Sequence, residues 1–366
     1  MFTFRVQGSG CGVREQRVED LLEEAVASGG IPGAAWAFGT GSGIVGSGAC
    51  GFAMVHPEKR PMRPDTLFDL ASVTKCVATA TATMLLIERG MMRLDDPVGE
   101  FIPGFAESGK ENVTIRHLLT HTSGLPAWAD LYLRASSPQD MIAGISKMPL
   151  EHEPGSKVVY SCLGFITLGE VVGRVAGRPM DALLADEVFA PLGMADTCFN
   201  PPEAARGRAA ATENCKWRGR VLVGEVHDEN AFAMGGVSGN AGLFSTARDL
   251  AVFCQMLLGE GSLGRVRVLS PATVRAMTRD HTGARLGECR GLGWAVRGDG
   301  VVSSAGDLMS PRAFGHTGFT GTSIWIDPEL DIFAVLLTNR VHFGRDNESH
   351  VRLRPRFHNV VVSLLC

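Results

Sequence analysis

The chain has 366 residues, of which 45% are hydrophobic and 20% are charged, so it can build a sizeable core in one large domain or two. Its formal net charge is -4 and no basic block or acidic tail occurs, so nucleic acids and anionic membranes are not favoured as partners. No stretch approaches the roughly 18 uninterrupted apolar residues of a membrane span.

The predicted elements come in the order helix, strands, helices, strands, helix. Apolar residues recur at helical spacing over 14–28, and Gly29-Gly30 ends this first helix. Ser137-Pro138-Gln139-Asp140 is a capping box that opens a helix in the middle of the chain. The closing helix is predicted over 352–365, where Pro355 limits its start. The other predicted elements are strands at 34–40 and 43–49, helices at 163–175, 180–189, 248–258 and from Ser270-Pro271, and a hairpin of strands at 321–327 and 331–340.

This order predicts an antiparallel sheet assembled from both ends of the chain, with a helical region inserted between its two parts. The first residues lack an apolar run with a small-residue cleavage site. The nine cysteines are scattered without a C-x-x-C pair, which favours reduced thiols. We therefore expect a cytoplasmic protein, or a periplasmic one if a leader was removed.

Residues 68–90, FDLASVTKCVATATATMLLIERG, place a serine and a lysine at the head of an apolar helix that has no charge over 76–87. Residues three apart on a helix share a face, so the Lys75 amine can reach the Ser72 hydroxyl. A serine becomes a nucleophile when a base takes its proton, and we expect burial to lower the pKa of Lys75 towards neutrality. The alternative is an N-cap serine followed by an ordinary lysine.

Two later segments could complete such a site. Tyr160 lies at a turn between a β-like run and a helix, and a phenol beside an ammonium can act as a general base. His316-Thr317-Gly318 leads into the predicted hairpin, where backbone N–H groups can stabilise an oxyanion. Taken alone, Tyr160 is better interpreted as structural and the H-T-G segment as an ordinary turn.

In combination these segments resemble the serine β-lactamase-like superfamily: class C β-lactamases, penicillin-binding D-alanyl-D-alanine carboxypeptidases, and related esterases and D-aminopeptidases. Its signature is S-x-x-K, then Y-x-N or S-x-N, then K-T-G or H-x-G. Here Ser72/Lys75, Tyr160-Ser161-Cys162 and His316-Thr317-Gly318 occur in that order. The resemblance covers about residues 15–366, because segments at 113–126, 226–250 and 325–342 are also typical of this superfamily.

The resemblance implies an α+β, β-lactamase/transpeptidase-like fold, with an antiparallel sheet flanked by the N- and C-terminal helices and a mostly helical inserted domain. We place the sheet domain at 1–80 and 231–366 and the helical domain at 81–230, with the active site at their junction.

The resemblance also implies the roles of the site residues. Ser72 would be the nucleophile, and Lys75 and Tyr160 would transfer protons. The backbone N–H groups of Ser72 and Phe319 would form the oxyanion hole. This chemistry needs no cofactor and no metal. The remaining substrate-contacting residues would be Cys162, His316, Thr317 and Gly318.

Two departures from the signature bear on the substrate. Cys162 stands where an asparagine or a carboxylate is usual, and a thiol is a weak hydrogen-bond partner for the Lys75 ammonium or a substrate amide. His316 replaces the usual lysine and is mostly neutral at pH 7, so it is a weak anchor for a carboxylate. Both departures argue against an efficient β-lactamase and agree with an esterase or amidase acting on small or uncharged acyl groups.

Three functions follow from these patterns. The leading hypothesis is an acyl-enzyme hydrolase of small esters or amides, with an esterase favoured. The second is a β-lactamase, D-alanyl-D-alanine carboxypeptidase or D-aminopeptidase that acts on short substrates containing D-amino acids. The third is a binding module on an impaired hydrolase scaffold. The oligomeric state stays open.

A metal site is the main rival to this chemistry. His117 and His121 are four apart on a predicted helix, and His227-Asp228-Glu229 could complete a ligand set. No H-E-x-x-H occurs, so we interpret these residues as capping and loop hydrogen-bonding groups. No G-x-S-x-G elbow occurs either. The glycine-rich loop 235–242 lacks a phosphate-binding Lys-Ser/Thr pair, so we expect it to border the substrate cleft.

Overall fold

The structure is a computed structural model that describes residues 15–283, 286–299 and 303–366. The strands are β1 (Gly33–Thr40), β2 (Gly43–Met54), β3 (Arg60–Pro61), β4 (Phe68–Asp69), β5 (Cys198–Phe199), β6 (Ala211–Cys215), β7 (Arg220–Val223), β8 (Leu243–Ser245), β9 (Ser262–Leu263), β10 (Val266–Arg267), β11 (Ala295–Val296), β12 (Phe314–Thr317), β13 (Ser323–Asp327) and β14 (Ile332–Thr338). The α-helices are α1 (Gln16–Ala27), α2 (Thr81–Glu88), α3 (Ile115–Leu119), α4 (Pro138–Lys147), α5 (Cys162–Ala176), α6 (Met180–Leu184), α7 (Ala190–Leu192), α8 (Glu203–Arg206), α9 (Glu229–Ala233), α10 (Ala247–Leu258), α11 (Pro271–Thr278) and α12 (Ser349–Leu365).

The main sheet joins the two ends of the chain. Within the described residues it has seven antiparallel strands in the order β11-β12-β13-β14-β1-β2-β3. The predicted hairpin is confirmed as β13 and β14, paired from Ser323 with Leu336 to Asp327 with Ile332. Strand β14 then pairs with β1, so the last strand of the chain lies beside the first. The chain therefore has the predicted α+β, β-lactamase/transpeptidase-like fold.

Each face of the sheet buries its own set of apolar residues. On one face, α1 and α12 pack on the strands through a cluster that includes Leu22, Trp36, Trp325 and Phe357. On the other face, α10 crosses β1 and β14, and the core continues without a break into the central helices. Burial of such apolar side chains is the main stabilising contribution to the fold. The boundaries between the sheet domain and the helical domain, placed after residues 80 and 230, stay a prediction.

The closing helix differs from its prediction. Helix α12 begins at Ser349, before the predicted residue 352, and Pro355 lies inside it. A proline inside a helix costs about 3 kcal/mol because it removes a backbone hydrogen bond and clashes with the preceding turn. The buried side chains of Leu353 and Phe357 on either side of Pro355 offset that cost.

The predicted core helix is buried but not uniform. Ala71–Val73 form a 3-10 turn, Lys75–Ala80 form a π-helical segment, and α2 follows. Every residue from Cys76 to Leu86 is buried, which confirms the prediction from the uncharged run. Single π-turns within helices occur frequently at functional sites. The predicted helices at 137–140 and 270–271 are also confirmed, because Ser137 and Ser270 cap α4 and α11 with their hydroxyls.

A small second sheet positions the head of the core helix. Strand β8 pairs with β4 and β5, and the backbone N–H of Leu70 donates to the carbonyl of Leu243. The chain therefore enters the 3-10 turn at Ala71 from a fixed β ladder. Among the described residues, no helix is both long enough and apolar enough to cross a bilayer.

Candidate active site

Ser72 and Lys75 form the centre of the site. Ser72 lies in the 3-10 turn, and the Lys75 Nζ donates to its Oγ across 2.9 Å. The residue before the serine, Ala71, has φ of 47°, a left-handed conformation that is uncommon outside glycine. Such backbone strain concentrates at functional sites, where the surrounding structure holds it in place. The predicted contact between the serine and the lysine is therefore present.

The Lys75 amine is completely buried and has three acceptors. Besides Ser72, its Nζ donates to the backbone carbonyl of Asn240 at 2.9 Å and to the Cys162 Sγ at 3.5 Å. It also lies 5.0 Å from the centroid of the Tyr160 ring. An ammonium carries three protons, so this arrangement satisfies all of them. The carbonyl of Asn240 is a strong acceptor for the Lys75 ammonium, whereas the Cys162 thiol is a weak one. The sequence motifs did not indicate the contact with Asn240.

The expectation that burial would lower the pKa of Lys75 towards neutrality is wrong. Burial disfavours the charged amine, but the electrostatic interactions with Cys162 and Tyr160 outweigh it, so the pKa of Lys75 is raised. Burial also raises the pKa of Tyr160, against the opposing effect of the Lys75 charge. Both shifts favour the protonated forms, an ammonium on Lys75 and a neutral phenol on Tyr160.

The Tyr160 ring is held by a histidine. His121 lies 4.4 Å from it between ring centroids, accepts the Ser161 N–H at Nδ1 and accepts the Val159 N–H at its carbonyl. Burial, with the charges of Arg290 and Lys75, holds the pKa of His121 well below its usual range, so the ring stays neutral. The Tyr160 hydroxyl makes no hydrogen bond of good geometry in the described part of the chain, but it lies close enough to Lys75 and Ser72 to interact with both. Hence His121 orients Tyr160.

The other residues of the rival metal hypothesis have protein partners as well. The Nδ1 of His117 accepts the Thr114 N–H at the start of α3. The Asp228 carboxylate caps α9, and the His227 ring contacts Glu213 at 2.8 Å. Within residues 15–283, 286–299 and 303–366, no cluster of three or more histidine, cysteine or acidic side chains could hold a metal ion.

His316 lies opposite Tyr160 on β12, with 5.9 Å between the ring centroids. Burial, with the charges of Arg290 and Lys75, lowers its pKa to about 3, so it is neutral at pH 7 as the sequence indicated. Its Nδ1 must donate to the Thr317 carbonyl at 2.8 Å. The Nε2 is then an acceptor, and it has no partner among the described residues.

The loop after β12 is pinned to the segment that precedes the serine. The Thr320 and Thr322 hydroxyls donate to the carbonyls of Asp69 and Leu70 at 2.7 and 2.9 Å. At Gly318 any Cβ would lie 2.3 Å from the Leu70 carbonyl oxygen, so only glycine fits. These contacts set the loop beside the 3-10 turn of Ser72.

The two predicted oxyanion donors are therefore neighbours. The N–H groups of Ser72 and Phe319 have no acceptor in the described parts of the chain, and both residues line the same cleft. Unpaired N–H groups at a cleft are available to a developing oxyanion. The side chain of Phe319 is 46% exposed and stacks on His227, with 5.6 Å between the rings.

The cleft has a volume of about 550 Å³ and is lined by several cations. Arg290 is 9% exposed, lies 5.5 Å from the Tyr160 ring and pairs with Glu288, while its Nε has no partner in the described residues. These positive charges favour an anionic ligand. Sequence reasoning missed them because they lie outside the three motifs. The lining residues that carry a charge at pH 7 are Glu288, Arg290, Arg297, Arg340 and Arg354.

Comparisons with known proteins agree with this geometry. A sequence model described as Beta-lactamase matches residues 18–355. The chain is 38% identical over 313 residues to a "Putative D-alanyl-D-alanine carboxypeptidase" of Escherichia coli K12, covering 76% of this chain and 70% of the relative.

Two solved structures share the fold at 25% identity. One is a "Novel Penicillin-Binding Protein (PBP) Homolog from Caulobacter crescentus", with a TM-score of 0.78 and coverage of 96% of this chain and 99% of the other. The second is "EstCE1, a hydrolase with promiscuous acyltransferase activity", with a TM-score of 0.77 and coverage of 94% and 98%.

Proposed function

The chain belongs to the β-lactamase family of serine hydrolases, and on this premise we propose that it works through an acyl-enzyme formed on Ser72. One observation carries the proposal: the Ser72 Oγ lies 2.9 Å from the buried Lys75 amine at the edge of a cleft. A serine in such contact with a base becomes a nucleophile once its proton is removed. The N–H groups of Ser72 and Phe319 would receive the oxyanion.

The raised pKa of Lys75 determines how the proton moves. In the proposed mechanism the reactive form is the minor one with a neutral lysine, whose Nζ takes the Ser72 proton as the Oγ attacks the carbonyl. The resulting ammonium passes a proton through the Tyr160 hydroxyl to the leaving group. Water then attacks the acyl-enzyme by the reverse route and releases the acid.

For the substrate we propose a short peptide that ends in a D-amino acid with a free carboxylate. The cationic lining of the cleft supports this choice, as does the similarity to a putative D-alanyl-D-alanine carboxypeptidase. Neutral His316 makes a poor carboxylate anchor, and Arg290, with its unpartnered Nε, is the better candidate. A second candidate is a small ester, supported by the similarity to a hydrolase with acyltransferase activity.

A substrate panel on the wild type and Ser72→Ala tests both parts. It comprises a tripeptide ending in D-Ala-D-Ala, the same peptide with its C-terminus amidated, p-nitrophenyl acetate and butyrate, and nitrocefin. We expect release of the terminal D-alanine from the free acid at least about tenfold faster than cleavage of the amide. Faster turnover of the esters with no peptide cleavage would favour the second candidate.

Labelling identifies the nucleophile independently of the substrate. A fluorophosphonate probe should modify Ser72 with one label per folded chain, as read by peptide mass spectrometry, and Ser72→Ala should stay unlabelled. If Ser72→Ala kept full hydrolytic activity, the proposed acyl-enzyme would be excluded.

A further inference from the structure

A buried arginine reaches the site from behind the sheet. Arg354 lies on α12 and is 7% exposed, and its guanidinium donates to the carbonyls of Gly318 at 2.7 Å and Thr322 at 2.9 Å. Among the described residues it has no carboxylate partner, and its Nε has no acceptor. A buried charge without a counter-ion costs stability, so the fold alone gives no reason for an arginine here.

The geometry of one peptide unit connects Arg354 to the cleft. The Gly318 carbonyl and the Phe319 N–H belong to the same planar trans peptide and point in opposite directions. Arg354 and the backbone N–H of Gly321 both donate to that carbonyl, so the Phe319 N–H points away from α12. That N–H has no acceptor within the described residues, and Ser72 lines the same cleft as Gly318 and Phe319.

The next peptide unit is held in the same way. Arg340 donates from its Nε to the Phe319 carbonyl at 2.9 Å, and its guanidinium lies 4.6 Å from the Phe319 ring. Arg340 is itself fixed, because its NH1 donates to two further carbonyls at 2.7 Å. Arg354 and Arg340 therefore donate hydrogen bonds to the peptide units on the two sides of Phe319, which restrains the rotation of both units.

We propose that Arg354 is a positioning residue of the oxyanion hole, which fixes and polarises the Gly318–Phe319 peptide so that its N–H is aimed at the tetrahedral oxyanion. This role rests on the proposed acylation of Ser72. A cation at the carbonyl oxygen draws electron density from the N–H, and such coupling strengthens a hydrogen bond by about 10–30%. A donor already in place needs no reorganisation as charge develops.

The charge that this role needs is present at pH 7. Burial and the neighbouring charge of Arg340 lower the pKa of Arg354 to about 9, which still leaves the guanidinium protonated. One guanidinium nitrogen, Nη2, donates to both carbonyls, so the charge of Arg354 lies directly against this loop.

The test compares Arg354→Met and Arg354→Lys with Arg356→Met, which removes an exposed arginine of the same helix that pairs with Glu24. With p-nitrophenyl butyrate we expect Arg354→Met to lower kcat about 100-fold with KM within about threefold, because the lost contact acts in the transition state. The affinity for an alkyl boronic acid, a tetrahedral analogue, should fall by the same factor. Arg354→Lys should lie between, and Arg356→Met should match wild type.

A chemical rescue separates positioning from folding. Guanidinium ion at low millimolar concentration should restore part of kcat to Arg354→Ala while leaving its melting temperature unchanged. An unchanged kcat in folded Arg354→Met, or a loss confined to KM, would overturn the proposal. If Arg354→Met does not fold, Arg340→Met tests the same positioning of the Phe319 peptide units, and we expect it to lower kcat about tenfold.

End-point labelling with the fluorophosphonate distinguishes a failure of the role of Arg354 from a failure of the proposed acyl-enzyme on Ser72. Stoichiometric label on Ser72 with a reduced kcat in Arg354→Met supports the positioning role. Stoichiometric label with wild-type kcat removes only the role of Arg354. Absence of label from Ser72 in the wild type removes the acyl-enzyme on which the role rests.

Discussion

The two sides of the cleft each bury a cation that has no carboxylate partner among the described residues, but the two cations contact different groups. On the side of the core helix, which we call the nucleophile wall, Lys75 donates to Ser72 and two further acceptors. On the side of β12 and α12, which we call the strand wall, Arg354 donates to two loop carbonyls. The Lys75 ammonium contacts the hydroxyl of a reactive serine, whereas the Arg354 guanidinium contacts only backbone carbonyls.

This difference teaches that the two walls serve separate tasks in the proposed reaction. The nucleophile wall moves a proton, so its cation contacts the Ser72 hydroxyl. The strand wall orients a peptide unit, so its cation contacts backbone carbonyls of the loop. Substitutions on the nucleophile wall should therefore change proton transfer, and those on the strand wall should change oxyanion stabilisation.

The largest expected effect is on the nucleophile wall. Lys75→Met should lower kcat/KM for p-nitrophenyl butyrate by about 10³-fold, because it removes the base that accepts the Ser72 proton. Lys110→Met is the matched control, since Lys110 is the other fully buried lysine and its Nζ donates to the Met148 carbonyl. The control should lose stability in urea unfolding but keep its activity per labelled site. Equal activity losses in both variants would refute the assignment.

Tyr160→Phe should have the next largest effect. Removing only the hydroxyl keeps the ring contact with His121 and interrupts proton transfer to the leaving group, so kcat should fall about 100-fold. Tyr132→Phe is the control, because Tyr132 is the only other tyrosine of the chain. A boronic acid should bind Tyr160→Phe nearly as well as wild type, in contrast to Arg354→Met. Similar losses of boronate affinity in Tyr160→Phe and Arg354→Met would contradict the separate tasks of the two walls.

The two walls should also respond to opposite ends of the pH range. Burial lowers the pKa values of His316, His350 and His358, all on the strand side, to about 3 each. Below pH 6.5 these histidines bind protons in the unfolded chain but stay neutral in the folded protein. The histidine contribution to the free energy of unfolding is therefore complete above pH 6.5 and is lost as the pH falls towards 3. Each histidine contributes up to about 2 kcal/mol of loss at pH 5.

The raised pKa of Lys75 has the reverse sign: its contribution is present below pH 10.5 and is lost as the pH rises through the folded pKa. Urea unfolding at pH 7 and pH 5 measures the acid limb. His358→Gln should remove the contribution of one histidine to the pH dependence, while the other buried histidines with lowered pKa values, among them His121, keep theirs. A free energy of unfolding that does not change between pH 7 and pH 5 would contradict the burial of neutral histidines.

The smallest expected effect concerns the departure from the family motif. Cys162→Ala should lower kcat less than about threefold, because the Asn240 carbonyl and the Ser72 hydroxyl keep two of the three lysine contacts. Cys76→Ala, at a buried cysteine next to Lys75, controls for general packing loss. A large drop in kcat for Cys162→Ala, with no such drop for Cys76→Ala, would show that the Cys162 thiol is needed to position the Lys75 amine.

The sequence contained most of what lies on the nucleophile wall. Spacing alone brought Ser72 and Lys75 together, because three residues are close to one helical turn. The motif order added Tyr160 and the loop at 316–319. The catalytic roles of these residues stay predictions. The apolar run over 76–87 predicted a buried helix, although its π-helical turn and the left-handed Ala71 depend on contacts with the β ladder beside them.

The strand wall was far less predictable. Arg354 follows Gly318 by 36 residues, so only the folded topology brings these two groups together. The same holds for one contact of the nucleophile wall, because Asn240 follows Lys75 by 165 residues. The predicted pKa of Lys75 was wrong for a related reason, since it considered burial without the ionisable partners that the fold places nearby. Local patterns therefore identify the reacting atoms, and long-range contacts determine their charge and orientation.

The threonine contacts between the strand-wall loop and the segment before Ser72 have a consequence for motion. Thr320 and Thr322 tie the loop of Phe319 to the segment before Ser72, so we expect any opening of the cleft to preserve the spacing of the two oxyanion donors. Tyr160 belongs to a different segment, held by His121, and does not share these ties. We therefore expect such an opening to change the distance over which a proton travels to Tyr160 more than it changes the shape of the oxyanion hole.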